Sequence, residues 1–343
     1  MGKQHREKVF RQSHISLATS KTPVLGRIIT LLHLVPAVMC GCSDAEHPTY
    51  EEIRREIGIA LTKSQDVKGP LDIFVFKDDR MQRLDCYLRL EDFSMWKGGV
   101  VTGSGDHIIS FVTGMQKKKD DWASITSRAA LEKITVDLEN ENADAAVMSG
   151  ETTGSTVELT PLSSQICLER LSCDFTGKPY SDNSISDVKV YLTNINASCG
   201  ILASGEISPT RILNQGRLSE KDLSGFKDKS LVYQKVEKPV EKNGRWSPME
   251  FLCYPNNAPE EGPGTPFTRL VIEGKVDGKT FYWPIDINRN GGLGIERGRR
   301  YTFDIAITGK GVSDPDTPVS SEYIDINFKI KEWEEKEDCV ILF

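Results

Sequence analysis

The stretch from Met148 to Asn194 constrains the fold more than any other part of the sequence. It begins with a break rich in Gly, Thr and Ser (148–155), and then apolar residues alternate with polar ones from Val157 to Phe175. The apolar positions change from odd to even before Ile166, and they change back before Leu171. Such slips of parity are typical of β-bulges or of a bent strand, because a one-residue shift turns every side chain to the other face.

A turn (176–183) and a second strand, Val188–Asn194, follow this run. A hinge followed by paired strands predicts that one β-domain ends and another begins here. About 300 residues also suit two domains of roughly 150 residues each. We therefore expect a signal segment at 1–41, an N-terminal β-sandwich domain at 42–154 and a C-terminal β-sandwich domain at 155–343.

The first 41 residues predict an export signal. Six basic residues precede an apolar run, Ile28–Cys40, which is shorter than the roughly 20 residues that a membrane-spanning helix needs. Gly41 stands directly before Cys42, at the end of the apolar run, and this resembles the bacterial lipoprotein box. Cys42 would then be lipidated and would anchor the chain in the outer membrane. The other interpretation is an ordinary signal peptide with an incidental cysteine.

The charge of the chain argues against anionic partners. The whole sequence holds 43 Lys and Arg and 50 Asp and Glu, and residues 1–41 contribute six basic and one acidic of these. The remaining chain therefore has a net charge of −12. Such a surface repels nucleic acid and anionic lipid headgroups, so we expect no nucleic-acid partner.

The rest of the chain predicts an all-β fold with one short helix. The helix is predicted at Ser127–Leu138 with Ser127 as its N-cap, because Leu131, Ile134 and Leu138 share one face. The segment Leu213–Lys238 is predicted to be irregular. Strand patterns occur at Ile57–Lys63, Leu71–Phe76, Arg83–Leu90, His107–Thr113, Met249–Pro255 and Tyr323–Trp333, and an antiparallel series is expected at Thr268–Glu273, Lys279–Ile287 and Arg300–Thr308.

Six cysteines besides Cys42 follow the predicted signal, and their spacings match no compact disulfide framework. Several lie within apolar strand patterns, where a cysteine behaves as a small hydrophobic residue. We expect most of them to be free and buried, although export permits disulfides. The six are Cys86, Cys167, Cys173, Cys199, Cys253 and Cys339.

Little in the sequence favours catalysis or metal binding. Beyond residue 41 the histidines are His47 and His107, and one strand histidine supplies neither a Ser-His-Asp triad nor a zinc site. Asp286-Ile-Asn-Arg-Asn-Gly begins like an EF-hand loop, but Arg297 stands where the twelfth position needs Glu. We therefore predict a Gly-rich turn there, with no metal, no cofactor and no enzymatic activity.

Two features keep a sugar-related function open. Glycosidases need two placed carboxylates, and the pairs Glu260–Glu261 and Asp314/Asp316 supply candidates, although acidic loops are usually solvated. Trp96 is the better exposed candidate for stacking on a sugar, whereas Trp283 and Trp333 lie in alternating strands and are expected in the core. The alternative function is a surface glycan-binding lipoprotein of a β-sandwich type.

Several segments, taken in their order along the chain, match one family. They are the lipoprotein signal, Leu71–Phe76, Met148-Ser-Gly, the V-x-L…I-x-L pattern of 157–168, Val188–Asn194, Phe251–Pro255, Arg300–Gly309 and the strand that carries Trp333. In this order they resemble the fimbrillins, the fimbrial subunits (type V) of Bacteroidales, and most closely their FimB-like accessory and anchor branch. The resemblance implies two tandem transthyretin-like β-sandwich domains and donor-strand exchange with other fimbrial subunits at the outer membrane. It also implies a host or bacterial surface ligand as a further partner.

One departure from the family bears on assembly. Shaft subunits of the family are typically cut after an Arg between the first strand and the L-x-I-F-V-F strand, but the loop Ser64–Pro70 contains no Arg. We therefore expect the first strand to stay in place and to fill the protein's own groove with Ile57, Ile59 and Leu61. The chain would then be an accessory or anchor subunit of the fimbria.

The last residues of the sequence are the second candidate for strand exchange. An apolar segment at a chain end must be buried, either in its own sheet or in the groove of another subunit. We expect it to enter a neighbour, where backbone hydrogen bonds hold a donated strand and alternate side chains fill pockets. These residues are Val340, Ile341, Leu342 and Phe343.

Overall fold

The computed structural model describes residues 55–63, 69–92, 99–289 and 292–332 of the 343-residue chain. This part is mostly β, with short helices, and its sheets do not close into a barrel, which confirms the all-β prediction. No helix in these ranges has the length and apolar character needed to cross a membrane.

The first half of the described chain carries nine strands and one α-helix. They are β1 (Arg55–Gly58), β2 (Ala60–Lys63), β3 (Leu71–Lys77), β4 (Leu84–Leu90), β5 (Gly99–Thr102), β6 (His107–Thr113), α1 (Arg128–Glu132), β7 (Thr135–Asp137), β8 (Met148–Thr152) and β9 (Thr156–Pro161).

The second half carries eleven strands and one α-helix. They are β10 (Ser164–Cys173), β11 (Ser186–Thr193), β12 (Ile195–Asn196), β13 (Ser198–Gly200), β14 (Ile212–Leu213), α2 (Glu220–Leu223), β15 (Tyr233–Lys235), β16 (Met249–Cys253), β17 (Arg269–Val276), β18 (Lys279–Asp286), β19 (Arg299–Ile307) and β20 (Ile324–Glu332).

A six-stranded sheet organises the first half, in the order β2-β9-β8-β6-β3-β4. The strands predicted at Leu71–Phe76 and Arg83–Leu90 are present as β3 and β4, which pair antiparallel. Ile73 and Val75 face a small core beneath β1 and β5, whereas Phe74 and Phe76 face the larger core. Because both faces of β3 are covered, its sequence is apolar at nearly every position, as is typical of a buried central strand.

Two four-stranded sheets organise the second half, in the orders β16-β10-β19-β20 and β15-β11-β17-β18. The shift predicted between Leu168 and Leu171 is present, because the register of β10 against β19 slips between Leu168 and Arg170. The expected antiparallel series is only partly correct. β17 and β18 pair antiparallel, but β19 lies in the other sheet and runs parallel to β10.

The apolar run 157–175, expected as one bent strand, is two strands in different sheets. β9 joins the six-stranded sheet, and β10 begins after a two-residue break. Most of the predicted Gly/Thr/Ser break is the strand β8 itself, and residues 153–155 turn from β8 to β9 within one sheet. The described residues form a single compact unit. We propose that a division into two domains falls after Pro161 and not at residue 154.

The predicted helix Ser127–Leu138 is shorter than expected. Ser127 is the N-cap as predicted, with its Oγ accepting the N–H of Ala130 at 3.3 Å. The helix ends at Glu132 because the β-branched segment 135–137 forms β7 and pairs with β13. The segment Leu213–Lys238 was expected to be irregular, but it contains α2 and β15.

The prediction for the cysteines is confirmed for four of them. The thiols of Cys167, Cys173, Cys199 and Cys253 are free and buried. Burial raises the pKa of Cys173 and of Cys199 to about 11, so both thiols stay protonated and unreactive near neutral pH. Cys339 lies outside the described residues.

Candidate assembly edges

The first strand divides at Ile59 and pairs with two sheets. β1 runs antiparallel to β5, and β2 runs parallel to β9 at the edge of the six-stranded sheet. Ile59 lies at the bend between them, is fully buried and belongs to the small core with Val75, Phe111 and Leu159. Of the predicted exchange residues, Ile57 and Leu61 lie on β1 and β2, and the structure describes their backbone only.

Four parallel residue pairs join β2 to the rest of its sheet. An edge strand with one neighbour leaves one row of backbone N–H and C=O groups without a strand beside it, and another chain can pair there. The position of β2 is thus one at which a strand can be added or replaced.

We expect Ile59→Ala to lower the free energy of unfolding of the protein by about 2–4 kcal/mol, because the change opens a cavity in a closed core. Denaturant unfolding of the chain from residue 42 onward measures this. Val101→Ala is the matched control, since Val101 lies on the neighbouring strand β5 with half of its side chain exposed, and its loss should stay within about 0.5 kcal/mol. Equal losses for the two variants would show that the first strand is not held in the core.

The strand β20 lies at the edge of the sheet β16-β10-β19-β20, and this edge was not predicted from the sequence. Its even-numbered residues Ile324, Ile326, Phe328 and Ile330 form an apolar row opposite the buried inner face of β19. Ile326 and Ile330 are 41% and 45% exposed. Phe328 packs against the ring of Phe303, with 4.9 Å between the ring centroids. The I-x-I-x-F-x-I alternation was the signal that could have identified this edge.

The other candidate exchange residues, Val340, Ile341, Leu342 and Phe343, lie outside the described residues, and so does the lipidation candidate Cys42.

The structure brings together acidic residues that the sequence presents separately. The guanidinium of Arg269 is buried and pairs with Glu261, Asp286 and Asp316 at 2.6–2.7 Å. Burial raises the pKa of Asp286, and Arg269 opposes this rise. These carboxylates therefore neutralise a buried cation and tie three chain segments together. The described residues contain no group of three or more His, Cys, Asp or Glu that could hold a metal ion.

His107 has a partner that the sequence did not reveal. Its Nε2 lies 3.2 Å from Oδ2 of Asp85, which also accepts the N–H of Gly103 at 2.7 Å. A triad needs both ring nitrogens, and among the described residues Nδ1 of His107 is buried without a hydrogen-bond partner. The pair thus fixes the start of β6 without forming a triad.

The tryptophans that the structure describes lie mainly inside the protein. Trp283 is fully buried, as predicted, and its Nε1 donates to the carbonyl of Gly309 at 3.0 Å. Trp122 is also buried, and the Nε1 of the half-buried Trp246 donates to the carbonyl of Leu168. Trp122 and Trp283 therefore present no open face for stacking on a sugar. Trp96 and Trp333 lie outside the described residues.

The sequence matches no protein-family model and no curated protein. The fold, however, is similar to that of solved structures from Bacteroidales. A candidate cell adhesion protein from Bacteroides eggerthii has a TM-score of 0.61 at 18% identity, and the match covers 82% of this chain and 96% of that chain.

Two proteins of Porphyromonas gingivalis are also similar in fold. For the fimbrilin FimA the TM-score is 0.56 at 14% identity, and the match covers 81% of this chain and 98% of that chain. For a tip fimbrial protein with a C-terminal truncation, the TM-score is 0.52 at 10% identity. The match covers 82% of this chain and 100% of that chain. At these identities the likeness shows the fold, and this chain has the fold of fimbrilins and of candidate adhesion proteins.

Proposed function

We propose that this chain is a structural and adhesive subunit of a bacterial surface fimbria and that it joins other fimbrial subunits by β-strand addition. One observation carries the proposal: the chain shares its fold with a fimbrilin over 81% of its own length and 98% of the fimbrilin's. Among the sheet edges, those at β2 and at β20 provide places where strand addition can occur.

Within such a fimbria, we propose an accessory or anchor role at the cell outer membrane. The first strand supports this role, because it lies on the protein's own sheets and places Ile59 in the protein's own core. The sequence also supports the accessory or anchor role, since no Arg follows that strand before Leu71. A chain that keeps its first strand closes its own groove and ends the row of subunits on that side.

Fibre purification tests the proposed function. Antibodies against the chain should detect it in purified fimbriae, and immunogold labelling should place it at one end of the fibre, next to the cell. Labelling along the whole shaft would contradict the accessory or anchor role. Complete absence from fimbriae purified from cells that produce the chain would contradict the fimbrial function itself.

We expect Cys42→Ala to release the protein from the membrane, because removal of the thiol leaves no atom to carry the acyl chains. Each buried CH₂ of such chains contributes about 0.8 kcal/mol to membrane binding. Membrane fractionation and labelling with a palmitate analogue measure the effect, and Cys40→Ala is the matched control that should keep both signals. A Cys42→Ala protein that stays in the membrane fraction and still takes up label would contradict lipidation at this residue.

A further inference from the structure

A cleft of about 330 Å³ opens at the side of the first half of the chain, where residues of the second half complete its wall. This volume lies within the range of small-ligand sites, which often form where two parts of a protein meet. Its lining includes Lys117, Asp137 and Glu141 from the first half and Lys227 and Tyr254 from the second half.

The floor of the cleft carries a buried carboxylate. Glu141 is 9% exposed; its Oε1 accepts the N–H of Val147 at 2.9 Å, and its Oε2 accepts the hydroxyl of Tyr254 at 2.6 Å. No Lys, Arg or His of the described residues forms an ion pair with it. A buried carboxylate without a cation is costly, and these two hydrogen bonds use about half of its acceptor positions. Glu141 can therefore still accept from a donor that enters the cleft.

The walls suit a long side chain with a charged end. Met115, Val136 and Val147 offer apolar surface to a methylene stem. Asp137 also lines the cleft, but its carboxylate already pairs with Arg211 at 3.2 Å, so Glu141 is the acceptor for the charged end. Two lysines also line the cleft. The Nζ of Lys117 lies over the ring of Trp122, 4.9 Å from its centroid, so this charge is directed toward the ring.

The same walls do not suit a sugar. Tyr254 is fully buried and its hydroxyl is already bonded to Glu141, so it offers no open ring face. Binding of a sugar in such a cleft would need an aromatic platform, and none of the other residues that line the cleft is aromatic.

We propose that this cleft receives one basic side chain, Arg or Lys, from a protein partner, and that Glu141 pairs with its cationic end. The ion pair would neutralise the carboxylate of Glu141, which forms no ion pair among the described residues. This proposal does not depend on fimbrial assembly, because the cleft lies apart from the edges of β2 and β20.

The test uses acetyl-Gly-Arg-Gly-amide and the same peptide with citrulline, which keeps the shape of arginine and removes its charge. Isothermal titration with the chain from residue 42 onward should show that the arginine peptide binds. The citrulline peptide should bind at least roughly tenfold more weakly. The affinity of the arginine peptide for the Glu141→Gln variant should fall by a similar factor. Glutamine can keep the bond from the N–H of Val147 on its amide oxygen, and its amide nitrogen can donate to the hydroxyl oxygen of Tyr254 in the reverse direction. A thermal scan of the variant checks that it is folded. Asp304→Asn, at an exposed ion pair with Arg170, is the control that should bind normally.

Three results would overturn the proposal. The first is equal binding of the arginine and citrulline peptides to the wild-type protein, which needs no variant to fold. The second is unchanged binding of the arginine peptide to folded Glu141→Gln. The third is no detectable binding of the arginine peptide up to about 10 mM, where even a very weak site would be filled.

Discussion

Replacing Arg297 with Met should lower the free energy of unfolding by about 3 kcal/mol or more, because four backbone carbonyl groups lose a charged hydrogen-bond donor at once. The guanidinium donates to the carbonyl oxygens of Ser149 and Thr160 at 2.7 Å, of Pro161 at 3.1 Å and of Ala203 at 3.2 Å. Against a typical total stability of about 5–15 kcal/mol, this is a large fraction.

The cost of burying the charge of Arg297 opposes this destabilisation. The difference between that cost and the lost hydrogen bonds determines how far the free energy of unfolding falls. Burial lowers the pKa of Arg297 to about 10, so enclosing the charge has a cost that Met would remove. Each buried acceptor left without a donor costs about 1–3 kcal/mol, and four acceptors together outweigh the gain. Met also keeps much of the apolar stem, so the loss reports on the hydrogen bonds and not on a cavity.

Arg170→Met is the matched control, because the side chain of Arg170 is 68% exposed and pairs with Asp304 on the surface. Its free energy of unfolding should change by at most about 0.5 kcal/mol. Denaturant unfolding of both variants measures the difference. If Arg297→Met is no less stable than Arg170→Met, then Arg297 does not hold these carbonyl groups in solution.

The same variant tests the proposed division after Pro161. Arg297 lies just before β19 in the second half, while Ser149 and Thr160 lie on β8 and β9 of the six-stranded sheet. A calorimetric scan of Arg297→Met should therefore separate into two transitions if two domains exist. A single transition that moves as a whole to lower temperature would mean that the described chain unfolds as one domain.

Local patterns in the sequence were sufficient for most strands and for the parity slip near Leu168, because alternation records which face of a strand is buried. They were not sufficient for the pairing of β19. A parallel neighbour, β10, lies more than a hundred residues earlier in the chain, and the alternation of Arg300–Thr308 is the same whichever strand lies beside it. The helix at Ser127 ended early because pairing with β13 overrode its helical pattern.

The partners of charged residues are even harder to predict from local sequence patterns than the pairing of strands. The sequence presents Arg297 only as the wrong residue at the end of an EF-hand-like loop. Its acceptors lie between 94 and 148 residues away, and they are backbone groups, which leave no mark in a residue pattern. The sequence likewise predicts that Glu261 and Asp316 are acidic residues of solvent-exposed loops, although both pair with the buried Arg269. Only the three-dimensional fold shows which buried charge a loop residue pairs with.

Deleting Cys339–Phe343 should leave a folded, lipidated monomer that no longer joins a fimbria. The segment is apolar, and each large side chain buried in a neighbour's groove would contribute roughly 1.5–3 kcal/mol. Backbone hydrogen bonds to the receiving strand would add to this. Fibre incorporation, followed by the fraction of protein that co-purifies with fimbriae, measures the loss.

The matched control keeps the length of the chain and changes the acidic residues that come before the segment. Glu334→Ser with Glu335→Ser should leave incorporation unchanged, because it keeps the apolar side chains. A paired design then identifies the face that is buried. Val340→Asp with Leu342→Asp changes one face of the segment, and Ile341→Asp with Phe343→Asp changes the other, so the pair that abolishes incorporation marks the side chains that fill pockets.

The edge strand β20 defines the result that would contradict this donor role. Ile326 and Ile330 leave apolar surface at an edge that has no strand beyond it in the described part of the chain. The terminal segment could return to this row through residues 333–338 and extend its own sheet. In that case the deletion would uncover the row, lower the melting temperature by several degrees and destabilise the isolated monomer. An unchanged melting temperature combined with lost incorporation supports donation to a neighbour, whereas a melted or markedly destabilised monomer assigns the segment to the protein's own core.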